Sequence, residues 1–324
     1  MQELKLFVVV PCYNEEEVLY ETNKRLSEKL DSLISSGAIS PLSRILYVND
    51  GSSDGTWNLI QSFHKDDERV WGISLSRNKG HQNALLAGLF CAKEHCDAAI
   101  SMDADLQDDI DAVDAMVAKY KEGNDIVYGV RNSRKKDSFF KRNTAQLFYR
   151  VMKLLGAQIV YNHADYRLMS KRALDALSEY HEYNMFLRGI VPMVGFDSAV
   201  VYYERQERFA GKSKYPLKKM LSFAFEGITS LSIRPIRVIT SLGAIVLLLS
   251  IIMMIYTFAR HINGETVSGW SSLIISIWAL GGLQIFCIGI IGEYIGKVYL
   301  ETKARPKYII KELLDDTRRT QDND

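Results

Sequence analysis

CDAAISMDADLQDD, residues 96–109, is the stretch on which the reading of this chain turns. Its first part, CDAAI, is short, mostly small and apolar, and suits a buried strand. Aspartate is a poor strand former, so the strand is expected to end near Asp103. Four carboxylates then crowd together at Asp103, Asp105, Asp108 and Asp109. Like charges at the end of a strand repel one another unless a cation offsets them.

Working outward, the same pattern of apolar run, polar loop and amphipathic stretch recurs on both sides. LKLFVVV precedes a helical NEEEVLYETNKRLSEKLDSLI, SRILYVND precedes DGTWNLIQSFHK, and VWGISLS precedes NALLAGLFCAKE. AAISMD and IDAVDAMVAKYKE repeat the order, followed by the strand DIVYGV. Strands alternating with helices predict an α/β domain with a largely parallel, doubly wound, Rossmann-like sheet. Ligands of such sheets lie beyond the carboxyl ends of the strands. The informative loops are therefore PCYNEE, NDGSSDGT, SRNKGHQ, DADLQDD and GVRNSR.

Composition narrows the function classes. The 324 residues are 47% hydrophobic and 24% charged, enough for a real core. Forty basic against 39 acidic residues leave a net charge of +1, which argues against a general nucleic-acid binder. The four cysteines, Cys12, Cys91, Cys96 and Cys287, form no C-x-x-C pair, so neither a zinc site nor a disulfide framework is expected. The apolar LFVVV near the N-terminus is too short for a signal peptide and is read as the first strand of a cytosolic domain.

The last third changes character. Residues 238–259, VITSLGAIVLLLSIIMMIYTFA, carry no charge, nor do residues 266–292. Each is long enough to cross a hydrocarbon core of about 30 Å. The division expected is a cytosolic catalytic domain over 1–212, an amphipathic interfacial region over 213–234, two transmembrane helices within 235–298 (237–259 and 268–292) and a cytosolic polar tail over 299–324. In the interfacial region Leu217, Met220, Leu221, Ala224, Phe225 and Ile228 follow helical spacing. Basic residues before the first span and after the second place both ends in the cytoplasm and the linker outside. That makes the chain a multi-pass protein of the inner or plasma membrane.

Alternate side chains of an extended segment face one way, so Asp103 and Asp105 can meet one cation, with Gln107 joining them if the chain stays extended. Hard oxygen ligands suit Mg²⁺ or Mn²⁺. An EF-hand loop is excluded, because Asp108 and Asp114 stand where its glycine and glutamate belong. GKS at 211–213 lacks the upstream glycine of a phosphate loop, since Gln206 stands there, and no G-x-G-x-x-G follows a strand.

The ordered set VVVPCYNEE, VNDGSSDGT, SRNKGHQNALLAG, MDADLQDD, YGVRNSR, ADYRLMS and RFAGKSKY resembles the family 2 glycosyltransferases of GT-A fold. The similar branch is that of the polyprenyl-phosphate glycosyltransferases, which includes bactoprenol glucosyltransferases and dolichyl-phosphate mannose synthase. The resemblance covers about residues 5–220, and the paired C-terminal spans match the bacterial branch. Asp109 departs from it, where proline is more usual.

The resemblance implies roles for individual residues. Pro11, Tyr13, Asn14, Glu15, Asp50, Asn78, Gly80, Asp103 and Ala104 would bind the nucleotide. Asp103, Asp105 and Gln107 would hold the metal on the donor diphosphate, with Asp105 also counted as catalytic. Arg131 and Arg134 would meet phosphate charge, and Arg208, Ser213 and Lys214 the lipid phosphate or the diphosphate. Asp165 matches the position read as the catalytic base; by local pattern alone it equally suits a helix N-cap ahead of RLMSKRALDAL.

The function implied is an inverting transfer of a sugar, glucose first, from a UDP-sugar to undecaprenyl or another polyprenyl phosphate at the cytoplasmic face. The resemblance also implies a homo-oligomer. N-acetylglucosamine, galactose, mannose or aminoarabinose donors stay open, as does a non-catalytic subunit or scaffold of a glycan-export system. A processive synthase is excluded, since no Q-x-x-R-W is present.

Overall fold

The computed structural model describes residues 3–132, 163–182, 186–204 and 269–316, together with scattered positions between 236 and 255. Residues 1–220 and 306–324 fall mostly in one compact unit, and 221–305 in a second.

The first unit is built on eight strands: β1 (Leu6–Cys12), β2 (Arg44–Asn49), β3 (Val70–Leu75), β4 (Ala98–Ser101), β5 (Ile126–Arg131), β6 (His163–Ser170), β7 (Ser198–Tyr203) and β8 (Ile310–Leu314). They form one sheet in the order β7-β5-β6-β4-β1-β2-β3-β8. Every residue of β1 to β4 is buried, which is why these strands read as continuous apolar runs.

Helices α1 (Glu16–Ser35), α2 (Thr56–Asp66), α3 (His81–Ala92) and α4 (Ala112–Lys121) connect the first five strands. Two short helices, α5 (Lys171–Ser178) and α6 (Leu187–Met193), follow β6. Helix α3 lies close on β1 and β2 because residue 88 is glycine: a Cβ there would stand 2.7 Å from Val48 Cγ2 and would also collide with Val9.

Six of the eight strands run the same way, as expected, and β6 and β8 run against them, which makes the sheet mixed. β1 pairs in parallel with β2 and β4, β2 with β3, and β5 with β7. β6, however, is inserted antiparallel between β4 and β5, and β8 runs antiparallel along β3. Two local readings change with it. ADYRLMS is strand, not the start of a helix, and the N-cap of α5 is Ser170, whose hydroxyl accepts from Ala173 N at 3.1 Å. Asp165 is thereby released from capping and set in a strand. The segment expected as a polar tail supplies β8. Asp316 just beyond it accepts from Trp71 Nε1 at 3.0 Å and Arg44 Nη2 at 3.4 Å.

Strand order reverses between β1 and β4, since β2 and β3 extend to one side of β1 and β4 lies on the other. The crevice at such a reversal is where an open α/β sheet binds ligands. The loops after β1 and β4 open there.

In the second unit, helix α7 (Trp270–Thr302) runs 33 residues, about 50 Å at 1.5 Å per residue. Within it Leu280–Thr302 is long and apolar enough to cross a membrane. Ile285, Phe286 and Ile288 are all strongly exposed, an apolar surface that water does not favour. The helix extends past the expected end of the second span at residue 292. Along the expected first span the described positions, from Ile236 to Ile255, are helical. The amphipathic stretch 213–234 and residues Arg134, Arg208, Ser213 and Lys214 lie outside the described residues.

Candidate active site

Two loops are knitted together at the end of β1. Asn14 takes a left-handed conformation (φ 55°), tolerable for asparagine. Its backbone N–H donates to Ser52 Oγ at 3.0 Å, and its Oδ1 accepts from Ser53 N at 2.9 Å. Glu15 N donates to Thr56 Oγ1 at 3.0 Å, and Glu16 Oε2 accepts from Gly55 N at 2.9 Å. Pro11 is buried in register with Val48, while Tyr13 is half-exposed beside this loop pair.

Asp50 organises a third loop. Its buried carboxylate accepts from Lys79 N at 2.7 Å and from Gly80 N at 2.9 Å. Burial raises its pKa in spite of those bonds and of nearby His81. Gly51 (φ 65°) lets the loop come this near, because a Cβ would sit 2.6 Å from Asn78 N. Asn78 Oδ1 in turn accepts from Gly80 N at 3.2 Å. The predicted nucleotide residues thus converge, but Asp50 acts here first as the acceptor that shapes the Asn78–Gly80 loop.

The acidic loop leaves β4 beside β1, with Met102 N donating to Val9 O at 3.1 Å. Ala104 is buried, and its carbonyl accepts from Thr22 Oγ1 at 2.8 Å. Leu106 turns left-handed (φ 56°), so the alternation that would carry Gln107 alongside the two aspartates stops there. Gln107 N donates instead to Asp105 Oδ1 at 3.1 Å.

These carboxylates repel one another. Burial pushes the Asp103 carboxyl up to about 6; His81 pulls it back, while Asp108, Asp165 and Asp105 push it further. Asp108 Oδ1 accepts from the Tyr203 hydroxyl and faces Arg131 Nη2 at 3.5 Å, but its buried Oδ2 has no hydrogen-bond partner among the described residues. Arg131, expected at a phosphate, directs Nε to the Tyr203 hydroxyl at 3.2 Å.

Among the described residues no three His, Cys, Asp or Glu side chains form a metal cage. A pair of carboxylates in an acidic pocket fits a hard cation that completes its shell with water and substrate phosphate.

Asp165 sits across the crevice on β6, at the centre of a cationic cluster. Oδ1 accepts from Arg167 Nη2 at 2.7 Å and from Arg188 Nε at 3.3 Å; Oδ2 accepts from Arg188 Nη2 at 3.0 Å. His81 Nε2 bridges the two acidic sites, 3.5 Å from Asp103 Oδ1 and 3.7 Å from Asp165 Oδ2. Burial alone would raise the Asp165 pKa, but Arg188, His81 and Arg167 together hold it well below the usual carboxylate range. Asp165 is therefore ionised at neutral pH and a weak proton acceptor.

His81, Asp108, Arg167, Arg188 and Tyr203 escaped the sequence reading as site residues. His81 had a signal, since it opens the helix after the SRNKG loop. Arg188 and Tyr203 carried none, because strand and helix placement alone brings them in.

Residues 7–178 match glycosyl transferase family 2, and residues 234–298 match the GtrB C-terminal hairpin. The chain is similar to an uncharacterized glycosyltransferase, YkoT, of Bacillus subtilis, with 58% identity over 94% of this chain and 90% of that one. It is similar as well to the bactoprenol glucosyl transferase of Shigella phage SfV, at 40% identity over 95% of this chain and 98% of that one. A prophage bactoprenol glucosyl transferase homolog of Escherichia coli shares 39% identity over 95% and 99%.

Proposed function

The chain belongs to glycosyl transferase family 2, and we propose that it moves glucose from UDP-glucose to a polyprenyl phosphate, undecaprenyl phosphate foremost, at the cytoplasmic face of a membrane. The observation that carries this reading is the pairing across the crevice. Asp103, in the acidic loop with Asp105, faces a cationic cluster centred on Asp165, with His81 between them. One side suits a metal-bound diphosphate, the other an anionic acceptor. The near full-length likeness to bactoprenol glucosyl transferases supports the lipid acceptor and the sugar.

Asp103 and Asp105 would hold Mg²⁺ or Mn²⁺, which would supply Lewis-acid stabilisation of the UDP leaving group. The chain's own residues do the rest. Asn14 and Asp50 fix the loops against which the nucleotide lies, and Tyr13 offers an aromatic face for its base. An acceptor phosphate oxygen is already anionic at neutral pH, so transfer requires little proton removal. An ionised Asp165 matches that chemistry, acting by orientation rather than as a base. Attack from the face opposite the leaving group inverts the anomeric centre.

The basic flanks of the apolar stretches orient both termini and the catalytic domain to the cytoplasm. The test of the reaction is UDP release by purified protein given Mn²⁺, undecaprenyl phosphate and one donor at a time. Release with UDP-glucose above the other donors supports the reading. Release with another donor alone corrects the sugar, and silence with every donor removes the reaction.

A further inference from the structure

Asp165 and its two arginines differ in exposure. The side chain of Arg188 is 35% accessible, against 8% for Asp165 and 2% for Arg167. Arg188 is thus the member of this trio that meets solvent, where His81 also surfaces. Its backbone is anchored from two sides. Leu187 N donates to Gln82 Oε1 at 3.4 Å, and Leu187 O accepts from Arg167 Nη1 at 3.3 Å. Helix α6 therefore begins pinned to both α3 and β6.

Asp165 grips the side edge of the Arg188 guanidinium, through Nε and Nη2. That grip sets the plane of the guanidinium; Nη2, 3.0 Å from Asp165 Oδ2, belongs to both its side edge and its outer edge. Charge points the same way. Two guanidinium groups against one carboxylate leave the cluster positive even with His81 neutral. A lone ionised aspartate would repel an anionic reactant; this cluster attracts one. Planar, bidentate donors are what phosphate recognition favours.

We propose that Asp165 serves to orient Arg188, and that Arg188 binds a phosphate group of a reactant, the acceptor's monophosphate or the donor's diphosphate. The inference deepens the proposed function, on which it rests for the identity of the reactants, but it can be read out by binding alone.

The experiment uses the full-length chain in detergent. Farnesyl phosphate, and separately UDP with Mn²⁺, are titrated calorimetrically into wild type, Arg188→Lys, Asp165→Asn and the double variant. Arg188→Lys keeps the charge and loses the fork, so binding of one of the two ligands should weaken about tenfold or more. A loss confined to farnesyl phosphate assigns the phosphate to the acceptor, and a loss confined to UDP assigns it to the donor. Because Asp165 works through Arg188, the double variant should bind about as weakly as the weaker single variant. Thermal unfolding of Arg188→Lys should stay within a few degrees of wild type, roughly the shift of a surface change.

Unchanged affinity for both ligands in Arg188→Lys overturns the inference, as do losses at Asp165 and Arg188 that multiply. Wild type that binds farnesyl phosphate in an Arg188-dependent way yet transfers no sugar leaves the inference standing and removes the proposed reaction.

Discussion

The two walls of the crevice are built by opposite means. The wall at the ends of β1 and β2 is held by short-range hydrogen bonds: Asn14, Ser52, Ser53, Asp50 and Gly80 exchange bonds mostly with backbone groups. The wall on β6 and α6 is held by charge, where a buried aspartate is locked between two arginines with a histidine nearby. The first is the surface proposed to receive the base and ribose. The second is a preorganised electrostatic device, whose groups gain strength from being partly dry. The aspartates show the contrast directly, since burial raises Asp50 while ion pairing depresses Asp165.

Breaking the ionic wall should have the largest effect. Arg167 is buried and pairs with Asp165, so Arg167→Met should cost about 3 kcal/mol of stability by leaving a buried carboxylate under-compensated. Chemical denaturation measures it, and a loss no greater than that of a surface variant would contradict the picture.

Next comes the acidic loop. Asp105→Asn removes one charge while its amide oxygen can still accept from Gln107 N. The fold should persist and sugar transfer should fall by at least about 10²-fold, the scale of one lost electrostatic transition-state contact. Near-normal turnover, or full activity in EDTA, speaks against a metal there.

On the hydrogen-bonded wall the effects should be smaller and should appear in nucleotide affinity. Asp50→Asn keeps one acceptor and replaces the other with a donor facing a backbone N–H. About 1–2 kcal/mol of loop order should be lost, read as UDP affinity weakened about tenfold. Its pH signature separates the walls. The folded pKa of Asp50 is raised, so the wild-type fold binds the extra proton first and loses stability as pH rises from about 3.9 through that raised value. Asp165 has the opposite sign: its contribution is present above about 3.9 and is lost only as pH falls through its depressed folded value. Asp50→Asn should flatten the first slope and leave the second; loss of both slopes would show that the walls are coupled.

The smallest effect is expected far from both walls. Asp316→Ala removes the acceptor of Trp71 Nε1 and of Arg44 at the β8 edge, and its carboxylate is half-exposed. About 0.5–1 kcal/mol of stability should go, with transfer unchanged.

Much of this was legible in the chain because its causes are local. Apolar runs alternating with helical periodicity dictated the strands β1 to β5 and the helices between them. Turn residues such as Asn14, Gly51 and Gly80 marked the loops, and the run of aspartates after β4 marked the acidic loop. Long charge-free stretches identified the apolar segments, because no charged side chain interrupts them.

What only the tertiary structure decided are pairings across large sequence distance. That β6 enters antiparallel beside β4 makes Asp165 a strand residue facing the crevice rather than a helix cap. That β8 zips onto β3, some 240 residues away, depends on an open sheet edge that no local pattern records. The Asp165 cluster assembles from α3, β6 and α6, and its arginines look like ordinary surface charges until packing excludes water around them. Local propensity is written residue by residue, whereas an ion pair's strength and a strand's direction depend on what surrounds them.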